Sequence, residues 1–240
     1  MTNKVVLVAG VGDGLGKSVA KRFAREGMVA ALVARDPKRL ERIAAEIRAE
    51  GGRAECFPAD MTKEAEVIAL FDAAEQVGPI EAVAFVAATR LQGAIVELSV
   101  EEFENVWRLS CLTGFIIGRE AARRMLPRGR GSILYTGASG SIRGRANFSA
   151  FAAAKGGLRF MAQSMARELG PKGIHVATLL LDGAIDSEMM HTHYAERMKQ
   201  LGPDGALHPD AIAETYWQVH NQPRNSWTME MDLRPWSTRD

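Results

Sequence analysis

Short apolar runs alternate along this chain with longer stretches in which apolar positions recur every three or four residues. Val5-Val6-Leu7-Val8-Ala9 contains no polar member, the pattern of a strand buried on both faces. Similar runs at 29–34, 54–58, 80–87, 132–136 and 174–181 predict five more strands. Between them, residues 14–26, 36–50, 62–76, 100–125, 148–169 and 209–220 carry helical spacing. Punctuation agrees with these bounds. Asp36-Pro37 is a helix start, Gly51-Gly52 a stop, Thr62 a cap and Gly78-Pro79 a second stop. Residues 186–200 predict a small helical insertion, and 227–233 alternates like an edge strand.

Strands without polar faces that alternate with helices imply a parallel sheet covered on both sides. The expected fold is therefore α/β: one doubly wound, Rossmann-type sheet spanning residues 1–240 as a single dinucleotide-binding domain, with a small helical lid at about 186–207. Its ligand is expected beyond the C-terminal ends of the strands.

Composition narrows the class without naming a function. The chain has 240 residues, 30 Lys+Arg against 29 Asp+Glu, and a formal net charge of +1, which disfavours nucleic acid as a partner. Cys56 and Cys111 form neither a disulfide framework nor a CxxC pair. No apolar stretch approaches the roughly 20 residues of a membrane span, and the opening residues show no signal-peptide pattern. A cytoplasmic protein with no membrane partner is the expectation.

Chemistry first appears where the first strand ends. In Gly10-Val11-Gly12-Asp13-Gly14-Leu15-Gly16 the glycines at 10, 14 and 16 form a GxxxGxG turn into a helix. Backbone without Cβ lets amides approach a pyrophosphate, and the helix N-terminus adds free N–H donors. The bland reading is a glycine-rich turn with no ligand. The second strand ends Val33-Ala34-Arg35-Asp36. An acid at Ala34 would bind the adenosine ribose of NAD, whereas Arg35 suits a 2′-phosphate. The expected cofactor is NADP(H), with NAD(H) as the alternative in which Arg35 is a surface charge.

With these residues the chain resembles the short-chain dehydrogenase/reductase family over nearly its whole length. The resemblance also rests on Asp60 in Pro58-Ala59-Asp60-Met61-Thr62, on Gly78-Pro79-Ile80-Glu81, on Lys155, and on Asp182-Gly183-Ala184-Ile185-Asp186-Ser187. It implies a cofactor-binding set of Gly10, Asp13, Gly14, Leu15, Gly16, Arg35, Asp60, Met61, Ala87, Lys155, Gly183 and Ile185. Asp182 stands where the family usually has Pro.

The departures are concentrated at the catalytic positions. Phe85-Val86-Ala87-Ala88 replaces the family's Asn-Asn-Ala-Gly, and side chains there that could narrow the nicotinamide pocket motivate a reading in which the cofactor is lost. The catalytic Asn falls at Ser110, the Ser at Ala138, and the tyrosine of the YxxxK motif at Phe151; Lys155 alone is retained. In the family reaction a hydride moves between nicotinamide and substrate carbon while the tyrosine exchanges a proton with the substrate oxygen. Phenylalanine cannot do this, and general acid–base catalysis typically supplies about 10²–10⁴-fold. None of the three tyrosines stands four residues before Lys155. Tyr135 reads as a sheet residue, Tyr194 lies in the insertion and Tyr216 in the last helix. Ser139, beside the lost serine, and Ser141 and Ser149 nearby remain as hydroxyls that could bind a substrate oxygen.

The candidate catalytic residues are therefore Lys155, Ser139 and Phe151 in the tyrosine's place, with Lys155 first a cofactor ligand. His191 and His193, close to Asp186 and Glu188, invite a metal reading, but exposed histidines on a lid are expected and no metal is assigned. Three functions stay open: an NADP(H)-dependent oxidoreductase of altered mechanism acting on a small carbonyl or alcohol substrate, an inactive dinucleotide-binding sensor, and a structural partner that has lost the cofactor. By resemblance, the helices at 100–125 and 148–169 imply a homodimer or homotetramer.

Overall fold

In the computed structural model, which describes residues 3–237, the strands are β1 (Val5–Ala9), β2 (Val29–Ala34), β3 (Arg53–Pro58), β4 (Ile80–Phe85), β5 (Gly131–Ala138), β6 (Ile174–Leu181) and β7 (Glu230–Leu233). The helices are α1 (Leu15–Arg25), α2 (Pro37–Ala49), α3 (Glu64–Val77), α4 (Val100–Trp107), α5 (Thr113–Met125), α6 (Ser149–Leu169), α7 (Glu188–His193), α8 (Ala195–Leu201) and α9 (Pro209–His220). The strands form one sheet in the order β3-β2-β1-β4-β5-β6-β7, each parallel to its neighbours. This is a Rossmann-type α/β fold. The chain moves outward from β1 toward β3, then crosses back to β4 on the other side. That reversal opens a crevice between the ends of β1 and β4, where open α/β sheets bind ligands.

Strand periodicity sorts the core into two apolar layers. Val5, Leu7, Val83, Phe85, Ile133 and Tyr135 face one way and pack with residues of α3, α5 and α6. Val6, Val8, Leu32 and Leu134 face the other way, against Phe23 of α1, Ile43 of α2 and Tyr216 of α9. No helix among the described residues is long and apolar enough to cross a membrane.

Several local expectations need correction. Thr62 is not the cap of α3. Lys63 holds that position without a side-chain cap bond, while the Thr62 hydroxyl donates to Asp60 at 2.7 Å. β4 ends at Phe85, although the amides of Val86 and Ala87 both still donate to Ala9 O. The stretch 100–125 is not one α-helix: Arg108–Leu112 forms a π-turn between α4 and α5, which buries Ser110 and Cys111. The Thr113 hydroxyl donates to Arg108 O at 2.9 Å inside this wider turn. The strand expected at 227–233 is shorter, but it does lie at the sheet edge.

Candidate active site

A cavity of about 1070 Å³ lies along the C-terminal ends of the strands. It is walled by the loop after β1, the end of β5, the face of α6, the segment after β6, and α7 and α8. Most of the expected site residues line it: Gly10, Asp13, Gly14, Leu15, Gly16, Ser139, Phe151, Lys155, Gly183 and Ile185.

At the loop after β1, glycine is required by contact. Gly10 has φ +102°, and a Cβ there would lie 2.5 Å from the Ala87 amide nitrogen. A Cβ at Gly16 would lie 2.8 Å from Gly10 O. Ala87 thus acts as the small neighbour that lets β4 approach the loop; it does not line the cavity. Gly12 faces open space instead, with nothing within 4 Å of its missing Cβ. Among the described residues, no acceptor takes the amides of Gly12, Asp13, Gly14 or Leu15. These free donors sit at the N-terminus of α1, where an anion is favoured. The Asp13 carboxylate is bound by Arg42, which holds its pKa below the usual value, aided by Lys17 and Arg39.

Arg35, Asp60 and Met61 lie outside the cavity wall. Pairing of Ala34 with Pro58 sets the exits of β2 and β3 side by side, so Arg35 and Asp60 are neighbours. Asp60 accepts from the Thr62 amide and hydroxyl, the main cause of its lowered pKa, and Arg35 contributes a smaller attraction. Arg35 is exposed and has no ion-pair partner among the described residues. Met61 packs against the apolar layer under α3. Arg39, one turn into α2, does line the cavity. Sequence reading missed it, although its place after the Asp36 cap put it near the loop.

At the other end, Lys155 is only 2% exposed, and its Nζ donates to Thr136 O at 2.7 Å. Desolvation pushes its pKa down to about 8. Among the described residues no carboxylate pairs with it and no second acceptor takes a hydrogen bond from it. Phe151, one turn earlier on the same face of α6, has its ring edge against Gly140; a Cβ at Gly140 would sit 2.9 Å from Phe151 Cδ1. Of the serines, Ser139 lines the cavity, Ser141 Oγ is engaged by the Ala138 amide, and Ser149 Oγ is buried without a partner. Ser110 is fully buried and accepts from the Thr89 amide at 3.2 Å.

Phe85 does not narrow the cavity. It is fully buried under the sheet, with its ring 6.0 Å from that of Tyr135; Val86 and Ala88 are the residues of that segment in the wall. The Tyr135 hydroxyl donates to Gly114 O inside the core. Tyr216 is also buried, 2.5 Å from the Thr136 hydroxyl, which itself donates to Phe85 O. Tyr194 is about half exposed and lies outside the wall.

The segment after β6 holds the base of the lid. Asp186 N donates to Leu207 O and Leu207 N to Ala184 O, fixing Ile185 between them. The Asp182 amide donates to Leu233 O at 2.8 Å, a bond that proline could not make. The Asp182 side chain is 2% exposed and accepts twice from Arg143, at 2.8 Å each. His191 Nε2 bonds Asp186 at 2.6 Å, and His193 lines the cavity.

The free amides at the switch point and the buried lysine across the cleft lie on the frame of a Rossmann-type α/β protein. This chain belongs to the short-chain dehydrogenase family, a family of oxidoreductases, whose model, described as short chain dehydrogenase, matches residues 4–198. A short-chain dehydrogenase from Rhodopseudomonas palustris aligns with a TM-score of 0.85 at 41% identity, over 98% of this chain and 100% of its own. Levodione reductase of Leifsonia aquatica is 32% identical across 93% of this chain and 82% of its own length. An actinorhodin polyketide ketoreductase variant solved with NADPH shares the fold: its TM-score is 0.89 at 24% identity, over 97% of this chain and 96% of that one.

Proposed function

We propose that this chain is an NADP(H)-dependent oxidoreductase acting on carbonyl and alcohol groups, with Lys155 performing the proton transfer for which the family uses tyrosine. One observation carries the reading. Lys155 forms part of the cavity wall as a buried ammonium whose pKa is lowered to about 8, with one N–H on Thr136 O and its remaining donors uncommitted.

The residues present fit a nicotinamide dinucleotide. The free amides of Gly12 to Leu15 would hold its pyrophosphate, and the open space over Gly12 admits it. Arg35, which has no ion pair among the described residues, would bind the 2′-phosphate, Asp60 would border the adenine, and Lys155 would reach the nicotinamide ribose. When bound, the nicotinamide gives or takes the hydride. Lys155 near neutral pH is charged, so it stabilises a developing alkoxide and holds a proton to give it. Ser139 supplies a hydroxyl for orienting the substrate oxygen.

The test is NADPH oxidation over a panel of aldehydes and ketones, run beside an equilibrium NADPH titration. Turnover that disappears in Lys155→Met supports the proposal. Binding without oxidation of any substrate supports the second reading, a dinucleotide sensor, which Phe151 and Ala138 favour by removing two catalytic hydroxyls.

The assembly proposed is a homodimer or homotetramer built on α4, α5 and α6. Exposed Trp107, Phe115 and Phe160 on these helices support it. Sedimentation that returns a monomer would count against it. Unpaired Cys56 and Cys111 support a reducing compartment such as the cytoplasm.

A further inference from the structure

The cavity is lopsided in charge. Asp13 is matched by Arg42, and Asp182 is matched by Arg143. Three other arginines in the wall have no such match. Arg90 follows β4, Arg145 lies in the loop before α6, and Arg197 is on α8. Among the described residues none of the three forms an ion pair or a side-chain hydrogen bond to an acceptor. Glu188 of α7 is the wall's other carboxylate, and among the described residues it too has no ion pair.

Arg197 and Arg145 are each close enough to act on Arg90. Desolvation, followed by the charge of Arg197 and then that of Arg145, lowers the pKa of Arg90, and Tyr194 opposes the shift. The Arg90 guanidinium is also held in place, stacked over the Phe148 ring at 4.4 Å from its centroid. Like charges gathered from three separate segments repel, and among the described residues no carboxylate pairs with them, although Tyr194 offsets part of the effect on Arg90. A ligand anion would pair with them, and a stacked guanidinium presents its planar fork to a carboxylate or phosphate.

We infer that Arg90, Arg145 and Arg197 form a subsite for an anionic group on the substrate, so that the preferred carbonyl compounds carry a carboxylate or a phosphate monoester. This deepens the oxidoreductase reading and rests on the cavity being a substrate site. It does not rest on turnover. Arg197 comes from the helix that covers the cavity, so an anion in this subsite would also draw α8 toward the loops carrying Arg90 and Arg145.

The test is equilibrium binding. Oxo-carboxylates of graded chain length, their methyl esters and the matching phosphate monoesters are titrated into the protein by calorimetry, with and without NADPH. At least one anion is expected to bind about tenfold or more tightly than its neutral counterpart, the margin of one charge-assisted pair. Which anion binds best separates carboxylate from phosphate. Arg90→Gln and Arg145→Gln each reduce that margin while leaving ester affinity in place, and added salt shrinks it. Thermal melts of both variants confirm the fold. Equal affinity for anion and ester, or a margin unchanged in both variants, overturns the subsite. An intact margin without NADPH oxidation would leave the subsite standing and remove the oxidoreductase reading.

Discussion

The Lys155 ammonium and the carbonyl oxygen of Thr136 are joined at 2.7 Å in a pocket that leaves the lysine 2% exposed. One carbonyl does not replace the hydration of a cation, so folding lowers the pKa from 10.5 to about 8. Below pH 8 both folded and unfolded states carry the charge, and the folded state bears the desolvation cost. Between about 8 and 10.5 the unfolded chain keeps a proton that the folded chain has shed, so stability rises with pH across that window. Lys155→Met is expected to be more stable at neutral pH by about 1–3 kcal/mol and to lose the alkaline rise. Chemical denaturation at stepped pH checks both. A variant no more stable than the parent would show that the ammonium is better solvated than its burial implies.

Restoring hydroxyls should restore the family's proton donor. The Phe151 ring is fixed against Gly140, so Phe151→Tyr adds an oxygen without requiring the ring to turn. With Ala138→Ser alongside, carbonyl reduction is expected to rise about tenfold or more, the lower part of the range for general acid catalysis. Steady-state kcat/KM on the aldehyde and ketone panel reads this. A double variant no faster than the parent would mean the cavity positions its substrate away from Phe151.

Under the proposed function Arg35 sets the cofactor preference. Arg35→Ala is expected to weaken NADPH by about tenfold, one charge-assisted phosphate contact, and to leave NADH unchanged. Fluorescence titration with both cofactors measures it. Equal losses for the two would assign Arg35 to general electrostatics, and no loss would pass the role to Arg39.

Arg143 and Asp182 form an ion pair in which the acid is buried and the base is partly exposed. Removing the base strands the acid, with Arg234 as a more distant cation at 3.8 Å. Arg143→Ala is therefore expected to cost about 3 kcal/mol, and adding Asp182→Ala should recover part of that cost. Denaturant midpoints of the single and double variants give the coupling.

The sheet and the glycine loop were legible because each rests on a local pattern. An unbroken apolar run specifies a buried strand, and a GxxxGxG turn specifies a close approach that Gly10 and Gly16 make by contact. Lys155 was legible through its motif. Phe85 was misjudged although the signal was present: it shares strand parity with Val83, and so faces the core layer of α5 and α6. The π-turn at Arg108–Leu112 left no such trace, since one widened turn barely disturbs helical spacing. Arg90, Arg145 and Arg197 come from three segments, and Arg143 reaches an acid 39 residues away. Arginine is common on surfaces, and only the fold shows which of them share a cavity.

In the proposed reaction Lys155 supplies the proton. Single-turnover oxidation of bound NADPH, followed by absorbance against pH on the best substrate from the panel, tests it most directly. The rate is expected to be level near neutrality, to fall as pH rises through about 8 while Lys155 deprotonates, and to be absent in Lys155→Met at saturating NADPH. A rate independent of pH across that range, or one that persists in Lys155→Met, would contradict it.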